Sequence, residues 1–169
     1  LAGTKATPLF EGVAATAEAS VALADGGEPE QVKAQQATAG FLPLLGLRPL
    51  IGRTYSAAEE AAGARVVVLS EGLWRERYGA DRGVLGRSVR LDGVAHTVIG
   101  VMPAVGDLVY RRASPRLWMP LDLDPVTHAR GQAGRYLQTV ARLAPGVTVE
   151  AAQAEMATVA ARLAESYPE

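Results

Sequence analysis

The side chains able to do chemistry in this 169-residue chain are few and scattered: two histidines, a serine after an apolar run, adjacent glutamates, two tryptophans and a short arginine cluster. His96 and His128 have no metal-type spacing to one another, and a lone histidine in a strand pattern or a polar loop is expected to be structural or solvent-facing. Ser70 follows Val66-Val67-Val68-Leu69 and precedes a helical pattern, the setting of a nucleophile elbow. That turn needs glycine two residues before the serine, because the strained backbone approaches its neighbours closely. Position 68 is valine, although Gly72 lies two residues after, so a helix N-cap is the preferred reading. Glu59 and Glu60 fall on an exposed helical pattern and have no reason to share a proton. No glycine-rich loop ends in Gly-Lys-Ser/Thr, and no Gly-x-Gly-x-x-Gly follows a strand; Gly40, Gly46 and Gly52 punctuate loops. Trp74 and Trp118 fit core packing better than a ligand groove. Arg111, Arg112 and Arg116 form the one local basic cluster, read as a solvated loop, with a lipid headgroup or acidic partner as the alternative. Catalytic, cofactor-binding and metal-ligating residues are therefore expected to be none.

Bulk composition agrees. The chain is 49% hydrophobic and 21% charged with net charge −1, which suits one globular domain or two small lobes and excludes a basic nucleic-acid face. Without cysteine there is no disulfide, thiolate site or thiol nucleophile, and the compartment stays open. No stretch approaches the ~20 apolar residues of a membrane helix, since Phe41 to Ile51 is broken by Pro43, Gly46, Arg48 and Pro49. No signal peptide is visible. A start at Leu1 and an end at Glu169 suggest an excised domain with neighbours on either side.

The elements that must position these residues follow from periodicity. Gly12 to Leu23, whose alanines equally allow a helix, and Glu30 to Thr38, separated by Asp25-Gly26-Gly27, read as a strand hairpin in an exposed or edge position. Gly40 to Gly46 holds one helical turn carrying Phe41, Leu44 and Leu45, and Pro49 and Gly52 keep the next stretch irregular. Ser56 and Glu59 fit a capping box, and Gly63 closes that helix. Val66 to Leu69 is a strand covered on both faces. The helix after Ser70 turns Leu73, Trp74 and Tyr78 inward and ends at Gly79. Asp92-Gly93 between β-patterned segments predicts a two-residue hairpin with Leu91 opposite Val94 and Val89 opposite His96. Leu117 to Leu121 is a short strand ended, or placed at an edge, by Pro120. Pro103 to Pro115 and Asp122 to Gly134 read as loops, and Tyr136 to Leu143 as a strand before the Pro145-Gly146 turn. A helix from the Thr148 cap to about Ser166 carries Val149, Ala152, Met156, Val159, Ala160, Leu163 and Tyr167 as one apolar stripe, expected to pack on a sheet.

Several ordered segments resemble a known family. FLPLLGLRPLIGR (41–53), VVVLSEGLWRERYG (66–79) and GRSVRLDGVAHTVIGVMP (86–103) are similar to stretches of the MacB-like periplasmic core domain of FtsX-like permeases. Tyr78 stands where phenylalanine is usual, and Leu117 to Leu121, Arg142 to Val147 and the last helix match further segments. The signature residues are Gly46, Pro49, Gly52, Arg53, Trp74, Gly79, Gly86, Arg87, Asp92, Gly93, Gly100, Trp118, Pro145 and Gly146. The spelling is nearest to large duplicated orphan permeases encoded without a fused ATPase.

The resemblance implies an α+β fold of two subdomains: a βαβ-type Porter-like lobe at 1–63 plus 134–169, and an inserted β-rich Sabre-like lobe at 64–133. Part of the first lobe looks absent at both ends. It also implies a membrane protein whose extracytoplasmic or periplasmic domain transmits conformational change for export or signalling, without catalysis or cofactor. The implied partners are a cytoplasmic ATPase, a permease dimer mate, and a periplasmic adaptor or exported substrate; nucleic acid is not among them. The rival readings are a substrate- or lipoprotein-binding module of the same transporter class and, less favoured, an exported hydrolase using Ser70.

Overall fold

In the computed structural model of the chain, the described residues are 9–104, 114–122 and 137–166. His128, Arg111, Arg112, Tyr136, Tyr167 and most of the two long loops lie outside them. The fold is α+β, in the order β1 (Phe10–Ala24), β2 (Glu30–Ala37), α1 (Phe41–Leu44), β3 (Ile51–Gly52), α2 (Ala57–Ala61), β4 (Val66–Ser70), α3 (Glu71–Tyr78), β5 (Ser88–Leu91), β6 (Val94–Met102), β7 (Leu117–Pro120), β8 (Gln138–Leu143) and α4 (Val149–Ser166). A 3-10 turn at Arg82–Val84 links α3 to β5.

The strands run in the order β2-β7-β4-β6-β5-β1-β8, and β2 also pairs with β1, so six of them close into a ring. Closure removes free edges, which explains why β2 tolerates its polar sequence. The hairpin partner expected for it is present, with Val21 opposite Val32. The edge position is not: β2 also lies parallel to β7, with Gln35 opposite Trp118, and Val32, Ala34, Gln35 and Ala37 are buried. Gln35 is admitted because its Oε1 accepts the Trp118 indole N–H at 3.2 Å, which satisfies both buried polar groups. Pro120 ends β7 and does not mark an edge, since β7 runs between β2 and β4.

One face of each ring strand points inward. Val21 and Leu23, Val32 and Ala34, Val67 and Leu69, Val89 and Leu91, and Val98 and Leu117 belong to one apolar cluster with Leu73 and Trp74 of α3. A second cluster on the outer face joins Phe41, Leu42, Tyr55, Val68, Met102 and Trp118. Tyr55 ties that layer down by donating to the carbonyls of Ala37 at 2.9 Å and Met119 at 3.1 Å.

Local signals hold closely. Leu91 faces Val94 and Val89 faces His96, with Asp92 and Gly93 both at positive φ. Ser56 and Glu59 make the reciprocal capping box, and Ser70 caps α3 by accepting from the Leu73 amide at 3.2 Å. Ile51–Gly52, expected to be irregular, instead forms β3 against β6.

By contacts the chain divides into one unit at Ala14–Val140 and another comprising Leu1–Val13 and Ala141–Glu169. The β1–β5 and β2–β7 pairings join residues 1–63 to residues 64–133. Within the smaller unit the Ala144 amide donates to the Leu9 carbonyl at 2.9 Å. Thr148 accepts from the Ala151 amide at 3.2 Å, as its cap role requires. Along the apolar stripe of α4, Val149, Met156 and Leu163 are 57%, 50% and 45% exposed, and Ala152 alone is buried among its described members. Periodicity identifies such a stripe but not what lies against it. Among the described residues, no helix is long and apolar enough to cross a membrane.

Candidate functional site

Three of the fourteen residues expected as a family signature, Gly52, Arg53 and Gly100, meet where β3 crosses β6. Gly52, at φ +71°, faces Gly100 in register. A β-carbon on Gly52 would overlap the Ile99 carbonyl oxygen, and one on Gly100 would overlap the Arg53 carbonyl. Glycine at both positions is what lets the two backbones touch. Arg53 then reaches Glu59 of α2 with two N–H···O contacts of 2.7 Å. Arg53, and then the Ser56 amide, hold the Glu59 carboxyl down at about 2.

A second group pins the hairpin. The Asp92 carboxylate accepts from the Ala22 amide at 2.8 Å, and the Asp92 amide donates to the Ala22 carbonyl at 2.9 Å. The Gly86 amide donates to the Val98 carbonyl at 2.8 Å. Arg87 pairs with Asp25 at 3.1 Å and lies over the Tyr78 ring at 5.5 Å. The Tyr78 hydroxyl is buried without a hydrogen-bond partner. Burial, and then the Asp25 carboxylate, raise its pKa above the usual phenol value.

The remaining signature residues stand apart from these groups. Trp74 donates to the Asp81 carbonyl at 2.8 Å, while Trp118 is buried on the ring's outer face. Gly46 and Gly79 end helices at positive φ. Pro49 is half-buried, and Pro145-Gly146 forms a turn in the smaller unit.

Among the described residues, Ser70, Arg116, Trp74 and Trp118 stand in separate places in the fold. Ser70 is a cap, with its hydroxyl committed to the α3 amide. Arg116, expected in a solvated loop, is instead half-buried and pairs with Glu76 at 2.6 Å; neighbouring Glu30 also pairs with Arg77 at 3.0 Å. It leaves the loop because its own backbone bridges β2 and β4, donating to the Lys33 carbonyl and accepting from the Ser70 amide at 2.8 Å each. Among the described residues, no group of three or more His, Asp or Glu is placed to hold a metal ion.

His96 lines a cavity of about 470 Å³ with Glu60, Arg65, Met119, Leu121 and Asp122. Sequence reasoning missed this cavity, because its wall comes from α2, the lead into β4, β6 and the end of β7. Only the strand pairing brings those segments together.

A family model described as the MacB-like periplasmic core domain matches residues 2–159. No curated protein matches the chain. The periplasmic region of MacB from Actinobacillus actinomycetemcomitans is 18% identical with a TM-score of 0.74, over 94% of this chain and 69% of that one. A domain of a protein described as a permease, from Porphyromonas gingivalis, is 19% identical with a TM-score of 0.69, over 92% and 65%. The extracellular domain of the noncanonic ABC-type transporter YknZ from Gram-positive bacteria gives 17% identity and a TM-score of 0.59, over 84% and 70%. The chain thus spans about two thirds of the length of these solved domains, and at such identities the likeness shows the fold.

Proposed function

Because the chain belongs to the MacB-like periplasmic core domain family, we propose that it is the non-catalytic extracytoplasmic part of an ABC transporter permease, passing conformational change between membrane helices and the space outside. The observation that supports this reading best is the closed six-strand ring with its two packed apolar layers. A closed, densely packed body resists bending and moves as a unit, which suits rigid-body displacement about an interface. Among the described residues, Ser70, Trp74 and Arg116 serve as a cap, a backbone pin and an ion-pair partner.

In this reading a cytoplasmic ATPase supplies the work, a second permease copy faces this one, and an adaptor or exported substrate receives the motion. The mapping of 1–63 with 134–169 and 64–133 onto the family's two subdomains belongs to the same proposal. The test is replacement of this domain by a flexible linker in the full-length permease. Export or signalling should stop while ATP hydrolysis by the assembled transporter continues. Export that survived the replacement would refute the reading.

The rival substrate-binding reading draws on the cavity beside His96.

A further inference from the structure

Register brings Arg65 and His96 side by side. Val66 stands opposite Thr97 and Val67 opposite Val98 in the parallel β4–β6 pair, and the Thr97 amide donates to the Arg65 carbonyl at 2.9 Å. Val67 and Val98 both belong to the core inside the ring. With a two-residue period, Arg65 and His96 fall on that same inward face, one step beyond the apolar layer. Met119, two residues after Leu117, packs against that core too. The cavity therefore lies at the mouth of the ring, where Met119, Pro120 and Leu121 line it beside Glu60, Arg65 and His96.

The rim presents complementary unmet capacity. His96 Nδ1 lies 2.9 Å from the Val94 carbonyl oxygen, which assigns the proton to Nδ1 and leaves Nε2 as an acceptor in the neutral ring. The Arg65 guanidinium has no ion pair or hydrogen bond among the described residues. Glu60 accepts from the Ala39 amide through Oε2 at 2.7 Å, and its Oε1 is without a hydrogen bond among the described residues. A planar guanidinium matches a carboxylate through paired N–H donors, whereas carboxylates and an imidazole lone pair match an ammonium.

We propose that this ring mouth binds a small zwitterion of amino-acid or dipeptide size. Its carboxylate lies on Arg65, its ammonium faces Glu60 and His96 Nε2, and its apolar side chain rests on Met119 and Leu121. The volume falls within the ~300–1,000 Å³ of small-molecule sites. The proposal does not depend on how the parent permease uses the domain.

The test is calorimetric titration of the chain with the dipeptide Leu-Leu, its N-acetyl form and its C-terminal amide, repeated with Arg65→Gln. Each cap removes one charged contact and should weaken binding about tenfold or more. Arg65→Gln should abolish discrimination against the amide while keeping discrimination against the acetylated form. Arg65 is exposed, so the variant should melt like the parent chain, which separates lost binding from lost folding. The proposal is overturned by no saturable binding up to ~10 mM, by equal affinity for capped and free dipeptide, or by an Arg65→Gln variant that still prefers the free acid.

Discussion

At the residue scale, the pair Gly52 and Gly100 makes the most demanding requirement, since a β-carbon on either would enter a neighbouring carbonyl. Gly100→Ala should cost more than ~3 kcal/mol in urea unfolding, as expected when backbone must move to admit a side chain; a loss within ~0.5 kcal/mol would show that the crossing is loose. Tyr78 makes the opposite case. Its hydroxyl is buried without a hydrogen-bond partner, so Tyr78→Phe should leave stability unchanged or raise it by up to ~1 kcal/mol.

Glu59 gives a pH prediction. Its folded pKa of about 2 lies below the unfolded carboxyl value. Its stabilisation is therefore complete above the unfolded pKa and lost as pH falls through about 2. Melting temperature should fall more steeply between about pH 5 and 2 in the parent chain than in Glu59→Gln; parallel profiles would contradict the Arg53 clamp. The capping box was legible in the sequence because Ser56 and Glu59 are local to each other. The Arg53 pairing and the glycine contact were not, because one depends on side-chain reach and the other on strands distant in sequence.

At the element scale, legibility followed the same rule. The Asp92-Gly93 hairpin was readable down to its register, since turn chemistry alone sets it. The interior positions of β2 and β7 were not, because their polar and proline content describes exposed strands unless the partner is known. The Gln35–Trp118 bond is the particular that rescues them. The last helix shows the limit of amphipathic reasoning: its period was clear, its environment was not. Leu163→Ala should change stability by less than ~0.5 kcal/mol, whereas Leu69→Ala, fully buried inside the ring, should cost ~2–5 kcal/mol. Denaturant midpoints at constant slope decide between them, and equal losses would place a cover over the stripe.

At the scale of the whole molecule, the family and the α+β class were carried by several short motifs in order, each tied to a turn, a cap or a close backbone contact. Ring closure and the cavity at its mouth were invisible, since both arise from pairings between segments far apart in the chain. Closure is what the proposed role rests on: a body that transmits displacement must not absorb it. Pulsed electron spin resonance gives a direct measurement, with any cysteine elsewhere in the full-length permease replaced by serine so that only introduced sites carry labels. Spin labels would be placed at Lys33→Cys and Arg82→Cys, both exposed, in the full-length permease assembled with its ATPase. The account predicts that the distance between the two labels within one ring stays fixed with and without ATP, while the distance between singly labelled copies changes. A change inside the ring, or none between copies, would contradict it.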